Sequence, residues 1–93
     1  MTALRIVLTG ACGGIGRAMA IGFAEAGHNL VLVGRKAESL SALRDGLLRP
    51  RSHRYIVTDL LTEESVSELC AEIADGPAID VLVNNAGISM FGL

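Results

Sequence analysis

Leu4-Arg5-Ile6-Val7-Leu8 runs directly into Thr9-Gly10-Ala11-Cys12-Gly13-Gly14-Ile15-Gly16, and an apolar-periodic segment begins at the end of that turn. A glycine-rich turn between a buried strand and a helix is a place where backbone can approach a phosphate. Gly10 can take positive φ without steric cost. Gly14 presents no Cβ where the anion must come close, and Gly16 lets the helix lie tight on the sheet. The free N–H groups and positive dipole end of the helix then face the anion, with Cys12, Gly13 and Ile15 completing the turn. A P-loop would close on Gly-Lys-Ser/Thr, whereas this turn closes on Gly16-Arg17-Ala18.

Outward from the turn, Leu4 to Thr9 reads as a first strand. Gly14 to Ala26 reads as a helix with Ile15, Met19, Gly22, Phe23 and Ala26 on one face, stopped by Gly27 as a left-handed cap. Asn29 to Val33 is a second strand. Leu40, Leu43 and Leu47 give Ala37 to Leu48 helical spacing, and Pro50 ends that region. Tyr55 to Thr58 is a short third strand. Thr62 is the N-cap of a third helix, with Glu63 and Glu64 in its first turn and Val66, Leu69, Cys70 and Ile73 as its apolar stripe. Gly76-Pro77 breaks that helix, and Ile79 to Val83 makes a fourth strand. Strict alternation of strand and helix predicts a doubly wound parallel α/β sheet. With right-handed crossovers, two helices cover one face and the third covers the other. The expected strand order is 3-2-1-4, with a ligand crevice between strands one and four.

Composition agrees. About half of the 93 residues are apolar and only 3% are aromatic, so the core is aliphatic, as in a parallel sheet covered by helices. The net charge of −2 argues against nucleic acid or an anionic membrane as the main partner. Arg49, Arg51, His53 and Arg54 read as a solvated connection, and His28 and His53 as polar loop or strand-edge residues. Cys12 and Cys70 form no C-x-x-C, so neither a disulfide nor a metal site is expected. Cys70 reads as a small core residue. Cys12 stands near a helix N-terminus, where a thiol's pKa can be lowered. No signal peptide or long apolar span is present in these residues, which makes a soluble, cytoplasmic setting the expectation.

Three residues separate Gly10 from Gly14, where the common G-x-G-x-x-G fingerprint has one. The resulting T-G-x-x-x-G-I-G form resembles the nicotinamide-binding turn of the short-chain dehydrogenase/reductase family. Asp80-Val81-Leu82-Val83-Asn84-Asn85-Ala86-Gly87 is similar to that family's N-N-A-G element, and Asp59-Leu60 follows the third apolar run where members hold adenine. The resemblance implies a Rossmann-like domain, incomplete here, with residues 1–93 as the N-terminal part of one NAD(P)-binding unit. It implies an oxidoreductase in which Asp59 accepts from the adenine amino group, Leu60 lies against the ring, and Asn85, Ala86 and Gly87 border the ribose crevice.

Dinucleotide sites that take NAD commonly carry an acidic residue after the second strand. Here that strand runs into Gly34-Arg35-Lys36. Arg35 suits a 2′-phosphate, which points to NADP over NAD. Family members that prefer NADP often carry a basic residue just before the second motif glycine, a position held here by Gly13, with Arg17 one turn further on.

Catalysis in the resembling family uses a Ser and a Tyr-x-x-x-Lys pair, the Tyr acting as general acid/base. This chain has one tyrosine, Tyr55, followed four positions on by Asp59, and its one lysine, Lys36, precedes the tyrosine. Ser89 follows N-N-A-G too closely to be the family's serine. No catalytic residue is assigned, and the chain alone is expected to be inactive. A fourth strand with an open side would favour self-association. Two other readings stand beside the oxidoreductase segment: a short non-catalytic dinucleotide-binding module, or a remnant that completes its sheet with another chain.

Overall fold

The computed structural model describes residues 2–85. The elements alternate as β1 (Arg5–Thr9), α1 (Gly14–Glu25), β2 (Asn29–Gly34), α2 (Ala37–Gly46), a 3-10 turn (Pro50–Ser52), β3 (Arg54–Val57), α3 (Glu63–Ala74) and β4 (Val81–Asn84). All pairings are parallel, and the order β3-β2-β1-β4 is the one expected.

The pleat divides the aliphatic runs between two cores. Ile6, Leu8, Leu30 and Leu32 point to one face, where they meet Ala20 and Ala24 of α1 and Leu40 and Leu43 of α2. Val7, Val31, Val33 and Ile56 point to the other, where Leu69 of α3 covers them. Leucine thus fills the two-helix face and valine the one-helix face. Each fully buried aliphatic side chain contributes about 1.5–3 kcal/mol, so β1 and β2, whose central residues are almost wholly buried, carry most of the fold.

The inner face of α1 differs from the expected stripe. Its buried residues are Gly16, Ala20 and Ala24, one position away from Ile15, Met19 and Phe23. Ile15 is 69% exposed, Gly22 and Ala26 are exposed, and Met19 and Phe23 pack from the side. The helix lies so near the sheet that only glycine and alanine fit beneath it. Gly27, at φ +97°, closes α1 as expected: its N–H donates to the Ala24 carbonyl and that of His28 to the Phe23 carbonyl.

Cys70, expected in the core, is exposed, and Val66 is 42% exposed. Among the described residues α3 is alone on its face, so within its apolar stripe Leu69 is buried and Ile73 partly so, while Val66 and Cys70 stay exposed. Thr62 caps this helix as expected, accepting the Ser65 N–H at 3.0 Å.

Several boundaries shift. α2 stops at Gly46, and Leu47 leaves it in extended conformation while staying buried. β4 begins at Val81 because Asp80 is occupied in closing the strand's entry: its N–H donates to the Arg5 carbonyl and its carboxylate accepts the Arg5 N–H. Arg49, read as part of a solvated connection, folds back onto the end of α1. Its guanidinium donates to the carbonyls of Ala24 and His28 and to Asn29 Oδ1, a cation placed where the helix dipole is negative. His53, read as loop or edge, is buried at 4% exposure.

Candidate functional site

The strand register brings four loops to one edge of the sheet. Thr9 of β1 stands opposite Val33 of β2 and Asn84 of β4, and Gly34 of β2 stands opposite Val57 of β3. The segments that leave these strands are the glycine turn, Arg35-Lys36, Thr58-Asp59-Leu60 and Asn85. All of them emerge at the carboxyl ends of the strands, where open α/β sheets bind ligands.

Gly10 takes φ +62°, the left-handed conformation its place in the turn predicted. Its carbonyl accepts the Gly13 N–H and the Asn85 side-chain amide, both at 3.2 Å. Asn85 thereby ties the turn to the end of β4 across the gap between strands one and four. The Thr9 hydroxyl lies 3.1 Å from Asn84 Oδ1 and 3.4 Å from the Val83 carbonyl, a second link across the same gap. In the sequence Thr9 stands only as the first residue of the T-G-x-x-x-G-I-G turn, with no role of its own, although a hydroxyl closing an aliphatic run was a signal for one. Ala11, fully buried beneath the turn, donates its N–H to the Val33 carbonyl.

The two motif glycines after Gly13 do different work. A Cβ on Gly14 would meet no atom within 4 Å, so that position opens onto space in front of the turn. A Cβ on Gly16 would lie 2.1 Å from the Gly10 carbonyl oxygen and 3.0 Å from Ala11 Cα. The helix could not sit where it does with any other residue there. Gly13, the exposed N-cap, supplies no side-chain cap, and the first turn of α1 carries no acidic residue. The helix end therefore keeps its positive potential for an outside anion. Ile15 projects outward beside this end.

Cys12 is half-buried against the two-helix core, and burial pushes its thiol pKa up while Arg17 opposes the shift. The lowering expected from its place near the helix end is therefore outweighed by burial. Arg35 and Lys36 are exposed, and Arg35 makes no hydrogen bond or ion pair among the described residues. Asp59 is exposed beside them, held by the loop whose Thr58 N–H donates to the Gly34 carbonyl at 2.8 Å. Leu60 is half-buried and packs on the α3-side core, so part of its side chain is spent on anchoring that loop. Ala86, Gly87 and Ser89 lie outside the described residues.

The donor set at this edge fits a dinucleotide: an uncapped helix end with an open glycine, an unpaired guanidinium and an adjacent carboxylate. Among the described residues no three His, Cys, Asp or Glu side chains cluster as a metal site would need, and no helix is long and apolar enough to cross a membrane.

Comparison with known proteins agrees with this geometry. A family model described as short chain dehydrogenase matches residues 5–93. The chain is 33% identical over 88 residues to an NADPH-dependent pterin aldehyde reductase of Arabidopsis thaliana, covering 94% of this chain and 36% of that protein. It is 36% identical over 86 residues to sulfoacetaldehyde reductase 2 of Chromohalobacter salexigens, covering 91% and 34%. Among solved structures, the oxidoreductase yciK of E. coli superimposes with a TM-score of 0.82 at 32% identity, over 92% of this chain and 37% of that one. The chain thus spans about a third of the length of the curated relatives it matches.

Proposed function

The chain belongs to the short-chain dehydrogenase family, and from that premise we propose that residues 1–93 form the NADP(H)-binding segment of an oxidoreductase. The observation that carries this reading is the convergence of the open glycine turn, Arg35 and Asp59 on one sheet edge. Gly10, Cys12, Gly13, Gly14, Ile15 and Gly16 present backbone to the pyrophosphate. Arg35 pairs with the 2′-phosphate, Asp59 accepts from the adenine amino group, and Leu60 borders the ring. Asn85 holds the turn in place, and with Ala86 and Gly87 it flanks the ribose crevice. When bound, the nicotinamide gives or takes a hydride. These residues fix its position, and the proton-transfer groups are assigned to no residue among these 93.

The test is Gly14→Val. Because a Cβ here meets no protein atom, its bulk falls on the ligand alone. NADPH binding is expected to disappear while helical content by circular dichroism stays nearly unchanged. Unaltered NADPH affinity in that variant would remove the turn as the cofactor site.

The same reading predicts the behaviour of the purified 93-residue chain. Val81 and Leu82 of β4 are 37% and 64% exposed, and β4 pairs only with β1 among the described residues. An apolar strand with an open side favours association with another chain. Sedimentation should show concentration-dependent self-association, and an NADPH oxidation assay should show no turnover of carbonyl compounds. A chain that stays monomeric at every concentration would contradict the first expectation, and robust turnover the second.

A further inference from the structure

At the edge opposite the glycine turn, the residue just before a strand closes the neighbouring strand's entry with its side chain. His28 precedes β2, and its Nδ1 accepts the Leu4 N–H at 3.0 Å, next to β1. Asp80 precedes β4, and its carboxylate accepts the Arg5 N–H at 2.8 Å. His53 precedes β3, and its Nδ1 accepts the Leu30 N–H of β2 at 3.1 Å. The ladder between β2 and β3 starts only at Val31 and Arg54, so without the imidazole the Leu30 N–H would be buried and unmatched.

His53 makes a second bond through the same ring. Its Nε2 lies 2.8 Å from the Leu48 carbonyl, in the connection between α2 and β3. Since Nδ1 accepts, the proton must be on Nε2, which donates to Leu48. The neutral Nε2–H tautomer is therefore the only form that satisfies both neighbours. An imidazolium would point an N–H at the Leu30 N–H, donor against donor. The charged groups that line the two surface cavities His53 borders are mostly cationic: Arg44 and Asp45 from α2, Arg49 and Arg51 from the connection, Arg5 from β1 and Arg54 from β3. Asp45 is paired with Arg44 at 3.3 Å, and Arg54 with Glu72 at 3.1 Å.

We propose that His53 is an acid-release pin, whose protonation frees the Leu48–His53 connection and the start of β2 from each other. Burial, with Arg49 adding to it and the Leu48 bond opposing, holds the ring's pKa below its ordinary value of 6.5. The unfolded or locally opened ring binds a proton near 6.5, whereas the closed ring binds it only at lower pH. The pin's contribution is thus complete above about pH 6.5 and is lost as pH falls toward the depressed native value. β2 runs from this edge to Arg35 at the other, so loosening its entry disturbs the strand that carries the proposed cofactor-selecting residue.

The experiment is amide hydrogen exchange on the 93-residue chain between pH 7.5 and 5, with imidazole 15N shifts from the same sample. Leu30 should lose protection, relative to its intrinsic exchange rate, by up to about tenfold per pH unit below 6.5. His53→Asn keeps an acceptor near the Nδ1 position without titrating, and its Leu30 protection should be nearly independent of pH. The 15N shifts should show the Nε2–H tautomer for His53 at neutral pH. An Nδ1–H tautomer, a charged ring at pH 7, or the same pH profile in His53→Asn as in the natural chain would overturn the proposal. If His53→Asn does not fold, the tautomer and titration of the natural ring decide it.

Discussion

Gly16→Ala should destabilise the fold far more than any other single methyl added to the glycine turn. The new Cβ would stand 2.1 Å from the Gly10 carbonyl oxygen and 3.0 Å from Ala11 Cα, and both are backbone atoms that cannot rotate away. The only relief is to lift α1 off the sheet, which opens the contact that buries Ala20 and Ala24. Alanine is intrinsically favoured over glycine in a helix by about 1 kcal/mol, so a net loss requires the clash to exceed that gain. Overpacking of a rigid site typically costs about 1–3 kcal/mol and occasionally more. With no flexible side chain to yield, the upper end applies, and a clash of about 3 kcal/mol less a gain of about 1 leaves about 2 kcal/mol, which for a domain of this size lowers Tm by roughly 8–16 °C. Gly14→Ala is the matched control, since its methyl enters open space. Thermal melts of the two variants measure the difference. Equal melting temperatures would mean that α1 does not depend on a bare residue at position 16.

Much of the architecture was legible because it rests on patterns with one physical solution. Aliphatic runs alternating with helical periods force a parallel sheet, and right-handed crossovers leave one strand order. The positive φ at Gly10 and Gly27 also followed from local chemistry alone. What misled was size. Ile15, Met19 and Phe23 look like a helix's inner face because they are large, yet close approach of α1 selects Gly16, Ala20 and Ala24 instead. Periodicity cannot reveal how near two elements come.

Other features were hidden because they depend on tertiary partners. Cys70 sits on an apolar stripe, but α3 has too little around it among the described residues to bury the whole stripe. His53 and Arg49 lie in a stretch that reads as basic and solvated. Their roles appear only when the chain returns to place Leu30 and the end of α1 beside them. At the candidate site, the glycine turn and Arg35 were visible as residue types at strand ends. The bond from Asn85 to the Gly10 carbonyl links positions 75 residues apart, and spacing alone does not disclose it.

Arg35→Asp should reverse the choice of cofactor. Arg35 follows β2 directly, at the edge where Gly34 pairs with Val57, and its guanidinium is exposed with no partner among the described residues. A free cation at that place matches a doubly charged 2′-phosphate and gains little from a ribose hydroxyl. Losing a hydrogen bond to a charged group costs about 1.5–3 kcal/mol, or one to two decades in affinity. The introduced carboxylate adds repulsion toward the phosphate and offers an acceptor to the 2′-hydroxyl of NADH. NADPH affinity should fall by about ten- to a hundredfold or more, while NADH affinity holds or rises. Because the contact is exposed, the natural chain's advantage for NADPH should shrink with added salt, and salt should likewise relieve the variant's repulsion of NADPH. Fluorescence titration of both cofactors at two ionic strengths measures all of this. The fold should be untouched, since Arg35 is exposed and makes no hydrogen bond or ion pair among the described residues. Equal weakening of NADPH and NADH would show that Arg35 does not read the 2′-phosphate, and the discrimination would then have to come from another residue at this edge, with Lys36, next in sequence, and Arg17, near the start of α1, as the cations to test.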